Sequence, residues 1–360
     1  MCHRRLYCAI SIRGVLTSLV LLFVAATLSA CTLTQLTEEE AEAIWRESAH
    51  ADVNSASFTH WDDADPAEIP VACAKCHSTP GYLDFHGADG SPVGVVDHPA
   101  PTGTTIECAA CHDEITQLND AATLPSGLDL VELGGNGNCY ACHQGRAYGG
   151  DVQAAISGLE LDRIDQDLRF INIHAGAAAA VLQGTEGDAG YEYVDRSYVG
   201  RFDHVAGFDD CTSCHNPHSL RMTPLRCGAC HADVRSTAHL QRVRTSNIDF
   251  DGDGKATEGI ATEIETLHEK LMAAMQDYVT AKGNMGELVY SDEYPYFANG
   301  RGEVFVSWTP RLLRAAYNYH LVAKDRGSFA HNPNYVIQLL YDSIEDLGGS
   351  TAGMNRPAAP

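Results

Sequence analysis

Cysteine and histidine recur through this chain in one fixed order: Cys73-x-x-Cys76-His77, Cys108-x-x-Cys111-His112, Cys139-x-x-Cys142-His143, Cys211-x-x-Cys214-His215 and Cys227-x-x-Cys230-His231. Two thiols three positions apart, followed at once by an imidazole, form the attachment signature of c-type haem. The thiols add across the porphyrin vinyl groups, and the histidine becomes an axial ligand of the iron. Two other chemistries use Cys-x-x-Cys. Structural zinc pairs such motifs into four-ligand sites and needs no histidine directly after the second thiol in every copy. A disulfide framework needs bridges between distant thiols, whereas pairing across these two-residue gaps would close small strained loops and cross-link nothing. Five covalently bound haem c groups, with their iron, are the expected cofactors.

Ten of the 13 cysteines sit in these motifs, leaving Cys2, Cys8 and Cys31. Residues 1–30 read as an export signal, with Arg4, Arg5 and Arg13 ahead of the apolar run 15–28. That run is short for a membrane span. It ends in Leu28-Ser29-Ala30-Cys31, which resembles a bacterial lipobox, with Cys31 as the lipid attachment site and new N-terminus. An ordinary secretory cleavage nearby is the alternative. Either route predicts an extracytoplasmic protein, held to the cell envelope through lipid alone in the first case, at the periplasmic face or the cell surface.

The formal charge is −24, and three arginines but no acid lie within residues 1–30, so the remainder is more acidic still. Nucleic-acid binding needs a basic footprint and is excluded as an expectation. Redox partner proteins with basic faces, cations or an extracellular acceptor suit such a surface by electrostatic steering; solubility alone is the plainer reading.

Each iron has one ligand assigned by its motif, and the sixth position decides the chemistry. A second imidazole gives a low-spin electron-transfer haem, while an open position admits a small molecule. Eleven histidines lie outside the motifs and beyond residue 30, and five are needed. The distal candidates are His218, stiffened by Pro217, His204 and His174 between motifs, His331 at a helix start, and His50 at the end of the first helix. His60, beside Trp61, stands in reserve, followed by His98, His86 and His239. His268 and His320 sit within amphipathic stretches and read as packing residues.

The elements that must position these groups follow from pattern. Thr37-Glu-Glu-Glu40 forms a capping box opening a helix to about His50. Residues 51–150 are punctuated by Gly, Pro, Asp and Ser and predict little regular structure. Residues 152–184 predict a helix, with Ile164, Leu168, Ile171 and Ala175 at helical spacing. The last two motifs start only 16 residues apart, so their haems are expected to be neighbours. After residue 246 three helices are expected, over 257–282, from Thr309-Pro310 to about Lys324, and from Asn332-Pro333 to Gly348. The expected domains are a signal peptide (1–30), a pentahaem domain (31–246), an acidic loop with a helical cap (247–348) and a disordered tail (349–360). The fold class is mostly α with extensive irregular coil, the haems forming much of the core.

The acidic loop matches an EF-hand frame beginning at Asn247, with Asp249, Asp251, Asp253 and Glu258 as further calcium candidates and Gly252 at the sharp turn. Asn at the first position and Gly254 at the eighth depart from the pattern.

The five motifs, the lipobox, the Cys-His-Asn-Pro-His element at 214–218 and the late His-Asn-Pro segment together resemble bacterial pentahaem c-type cytochrome lipoproteins of respiratory and extracellular electron-transfer systems, over roughly residues 28–348. That resemblance implies an electron carrier rather than an enzyme, built from closely packed haems. Assembly of copies into a filament stays open. The competing class is a haem reductase of the nitrite or hydroxylamine type with one open haem; its frequent Cys-x-x-Cys-Lys motif does not occur here.

Overall fold

The computed structural model describes residues 36–174 and 176–359. Cys31 and Ala175 lie outside that range. Helix and irregular coil dominate, and the described strands form three two-stranded antiparallel sheets: Glu68–Ile69 with Ala100–Pro101, Ala122–Thr123 with Asp129–Leu130, and Val289–Tyr290 with Phe297–Ala298. Residues up to Ile44 and residues from Trp45 onward form two separate units.

The segment to Ile44 carries the expected capping box. Thr37 Oγ1 accepts from the Glu40 amide at 3.2 Å, and Glu40 Oε2 accepts from the Thr37 amide at 2.9 Å. The helix it opens ends at Trp45 rather than at His50, which lies in the turns that follow.

In the unit from Trp45, three long helices supply the framework: α1 (Ile260–Lys282), α2 (Pro310–Lys324) and α3 (Pro333–Asp346). Each begins and ends where its caps dictate. Thr309 Oγ1 accepts from the Leu312 amide, Asn332 Oδ1 accepts from the Tyr335 amide, and a proline with its preset φ follows each cap. Gly283 closes α1 in the left-handed conformation at φ +71°, which a side chain would oppose. Ile264, Leu267, Leu271, Met275 and Tyr278 of α1 repeat every three or four residues and bury one face against α2 and α3.

This core does not stop at residue 246. It runs from Leu124 and Tyr140 through Ile173 and Val181 to Leu347, so the expected haem segment and cap share one apolar interior. Two small satellite clusters lie outside it: Ile69, Ala74 and Ala100, and Tyr82, Ala110 and Ala141.

Two expectations are corrected. The continuous helix over 152–184 is instead a helix at Gly149–Ile156, irregular chain, and a second helix at Ala178–Gln183. Gly158 and Gly176 adopt φ of +77° and +72°, which break helical continuity, and Leu168 is buried from the intervening coil. Helical spacing of apolar residues is a poor guide there, because irregular chain also turns apolar side chains inward, as where Phe170 packs on Phe297 and Trp308. The tail expected to be disordered packs as far as Pro357. Arg356 Nε and Nη2 donate to the buried Asp342 carboxylate at 2.8 Å, and Gln338 donates to the Pro357 carbonyl.

Candidate haem attachment sites

Each motif closes a turn of helix. The histidine amide donates to the carbonyl of the first cysteine at 2.9 Å in the second and third motifs, 2.8 Å in the fourth and 2.9 Å in the fifth. The first motif lies within the helix Val71–His77. Residues at i, i+3 and i+4 share one side of such a turn, so both sulfurs and the imidazole face the same way. All ten motif cysteines are free thiols.

Four motif histidines face a second imidazole. The ring centroids of His77 and His174 are 5.9 Å apart, those of His112 and His218 6.1 Å, His143 and His50 6.2 Å, and His231 and His204 6.1 Å. A metal–imidazole nitrogen bond measures about 2.0–2.1 Å. Two such bonds on opposite sides of one metal, with about 1.1 Å from each nitrogen to its ring centre, place the centroids about 6.3 Å apart. Direct ring stacking would bring them closer. The donor set therefore fits an iron held between two imidazoles at four places.

The far nitrogens are fixed as ligating histidines require. Nδ1 of His77 lies 2.8 Å from the Ser57 carbonyl oxygen, and Nδ1 of His215 lies 3.1 Å from that of Leu220. Donation there leaves Nε2 with its lone pair forward. His331, the remaining distal candidate, is oriented in the same manner: Nδ1 is 2.8 and 2.9 Å from the two oxygens of the buried Asp325. Burial lowers the pKa of His143, and the nearby His215 and His331 lower it further, so His331 lies within electrostatic reach of the third motif. Burial likewise pushes His50 down to about 4, with His143 adding to the effect, and favours the neutral imidazole that a metal needs.

His174 carries a further signature. Its φ is +67°, a conformation that side chains avoid, and its amide donates to Asn172 Oδ1 at 2.8 Å. His60 lies edge-on to Trp61, and Trp61 in turn lies edge-on to His77, so His60 stands one ring further back. His320 and His268 are packing residues: His320 engages both nitrogens, with Tyr290 and Asn172, and His268 stacks on Tyr319 at 3.7 Å. His239 accepts from the Arg235 amide, and His98 pairs with Asp84 and Asp97.

The motifs meet in an order that differs from the chain order. Against the third motif packs the first, with Cys76 Sγ 3.9 Å from the Ala141 carbonyl and Cys142 Sγ 3.8 Å from that of Lys75. The second packs there too, through Ala110, Ala141 and Tyr82, whose hydroxyl donates to Asn138 at 2.7 Å. The fourth joins through the Thr212 amide, which donates to Asn136 Oδ1 at 3.3 Å. The fifth is tied to the fourth by the Thr223 amide and hydroxyl, both donating to the Cys214 carbonyl. His218, which follows the fourth motif, turns back to His112 of the second. Nothing in the spacing of the motifs reveals this junction. Ser57, Asp325, Tyr82 and Asn138 were also missed, because they act through tertiary contacts of high sequence separation.

In the acidic loop the carboxylates of Asp251, Asp253 and Glu258 converge, as do those of Asp249, Asp251 and Glu263.

No protein-family model matches the chain, and no solved structure does. Among curated proteins it is similar to the C-type polyheme cytochrome OmcC of Geobacter sulfurreducens, at 26% identity over 391 residues, covering 89% of this chain and 48% of that protein. It is similar also to the C-type polyheme cytochrome OmcB of two strains of that species, each at 26% identity over 366 residues, covering 82% of this chain and 46% of OmcB. The attachment motifs and this likeness both point to the multihaem c-type cytochromes as the proteins the chain is similar to. In particular it spans about half the length of the polyheme cytochromes it matches. Among the described residues, no helix is long and apolar enough to cross a membrane.

Proposed function

We propose that the chain carries electrons through five covalently attached haems, each iron capped on both faces by imidazole. The observation that carries this reading is the pairing of four motif histidines with four others at 5.9–6.2 Å. When bound, haem supplies reversible one-electron chemistry at its iron. The chain's residues do the rest. The thiols fix each group by one edge, and His174, His218, His50 and His204 close the second face over the first, second, third and fifth motifs. His331, held by Asp325, closes it over the fourth. With both faces capped, small molecules have no open coordination site to enter, so transfer rather than turnover is the consequence.

The contacts between motifs extend the reading to a layout. The third motif is a junction for the first, second and fourth, and the fifth is reached through the fourth. The relay is therefore branched, with the fifth motif at one end. Attachment through Cys31 would hold the relay at the cell envelope, and the acidic surface would steer basic redox partners or cationic acceptors to it. A potentiometric titration of the purified holoprotein, with haem counted by pyridine haemochrome, tests the proposal. Five haems per chain, all reducible and none altered by carbon monoxide, is the expected result. Fewer haems, or a fraction that takes up carbon monoxide, would refute it.

A further inference from the structure

Beside the haem sites lies a cluster they do not use. Asp251 is fully buried, yet only one of its oxygens is satisfied: Oδ1 accepts from the Asp253 amide at 3.0 Å, and Oδ2 has no hydrogen-bond partner. Glu258 Oε1 is likewise buried and unpartnered. Oxygens of Asp251, Asp253 and Glu258 lie within 4.8 Å of one another. Buried carboxylate oxygens left unpaired are costly, and convergence of three carboxylates adds repulsion.

The geometry points to a calcium-class divalent cation held by Asp251, Asp253 and Glu258, acting as a clasp between α1 and the C-terminal tail. Calcium–oxygen bonds of about 2.3–2.6 Å put ligands on opposite sides of one ion about 5 Å apart, which the cluster allows. Asp249 begins the loop as an EF-hand's first residue would, but its two oxygens accept from the Gly252 and Gly254 amides at 2.6 and 2.8 Å and shape the turn. Glu263 is the brace behind the site. Its Oε2 accepts from the Phe250 and Asp251 amides at 2.7 and 3.0 Å, and its other oxygen pairs with Arg244. Arg244 also donates to the Ser246, Ile248 and Glu258 carbonyls, drawing the loop around its guanidinium. Lys255 pairs with Asp253 from an exposed position and can move aside for an ion, while Lys270 donates to the Asp251 carbonyl.

The clasp reaches the tail through backbone. Asn355 donates from Nδ2 to the Asp249 carbonyl at 2.6 Å and from its amide to the Phe250 carbonyl at 3.2 Å. Gly252 packs so closely on Gly353 that a Cβ there would sit 2.7 Å from the Gly353 carbonyl carbon. Ordering the loop thus orders residues 353–355. A flexible all-carboxylate set favours calcium over magnesium, which demands a near-ideal octahedron and keeps its water.

The site is independent of the haem reading, and its test reads the metal directly. Full-length holoprotein stripped with EDTA is titrated with calcium chloride by calorimetry, in the absence and presence of excess magnesium. The expected result is one calcium per chain, not displaced by magnesium, with the tail protected from carboxypeptidase only when calcium is present. Glu258→Gln, at a partly exposed residue, should weaken binding about tenfold or more and leave the haem spectrum unchanged. Asp251→Asn should do the same. No calcium binding, equal binding of magnesium, or unchanged affinity in a folded Glu258→Gln protein would overturn the proposal.

Discussion

Replacing His174 by glycine separates ligation from folding, because the structure makes the two effects opposite in size. His174 sits at φ +67°. That conformation costs a side-chain-bearing residue about 1 kcal/mol, which glycine does not pay. Glycine loses more chain entropy on folding, about 0.5–1 kcal/mol, so the net change in stability is close to zero. The spectroscopic change is large by comparison: the imidazole 5.9 Å from His77 disappears, and one iron of five loses its second nitrogen. Low-temperature EPR and the near-infrared spectrum should then show about one fifth of the low-spin signal converted to high spin, with carbon monoxide binding to that fraction and imidazole in the buffer restoring it. His174→Ala should give the same spectrum at about the same stability, since alanine retains the strain that glycine relieves but loses less chain entropy on folding. A fully low-spin His174→Gly protein would refute the assignment. So would loss of one low-spin site in His60→Gly instead.

Asp188 lies half-buried with its carboxylate beside Glu192, and burial first, then that neighbour, raises it from 3.8 to about 6. A raised acid binds its proton more tightly in the folded state, so the cost of burying its charge is present above about pH 6 and disappears as pH falls toward 3.8. Asp188→Asn keeps an acceptor for the Gly150 amide and should gain about 1–2 kcal/mol at pH 8, allowing for partial exposure, with no gain at pH 4; denaturant melts at the two pH values check it. Arg356→Ala leaves the buried Asp342 with the Tyr198 hydroxyl and a distant Arg196 as partners. It should cost about 2–3 kcal/mol by chemical denaturation, and an unchanged midpoint would return the tail to the disordered state first expected of it.

The chemistry was legible in the sequence to an unequal degree. Attachment motifs are local: five residues close one helical turn, and every member lies within i+4, so spacing alone announces them. The three long helices were legible for the same reason, since Thr309-Pro310, Asn332-Pro333 and Gly283 are local caps. What brings His218 to His112, or Asp325 to His331, is tertiary folding across turns and coil, which no periodicity encodes. The segment 157–174 shows the converse error, where apolar spacing imitates a helix although the chain is irregular and of the spaced residues Leu168 is buried while Ile164 and Ile171 are partly exposed. In the acidic loop the residue types were informative, and only the side-chain directions show that Glu263 braces it from behind.

The account rests on every iron having an imidazole on each side. Quantitative EPR of the oxidised holoprotein, integrated against its haem content, measures this without any substitution. Five low-spin ferric centres per chain and no high-spin signal at g near 6 are expected (about five by the motif count). One high-spin centre per chain, shifted by carbon monoxide or nitrite after reduction, would contradict it and restore the case for a reductase.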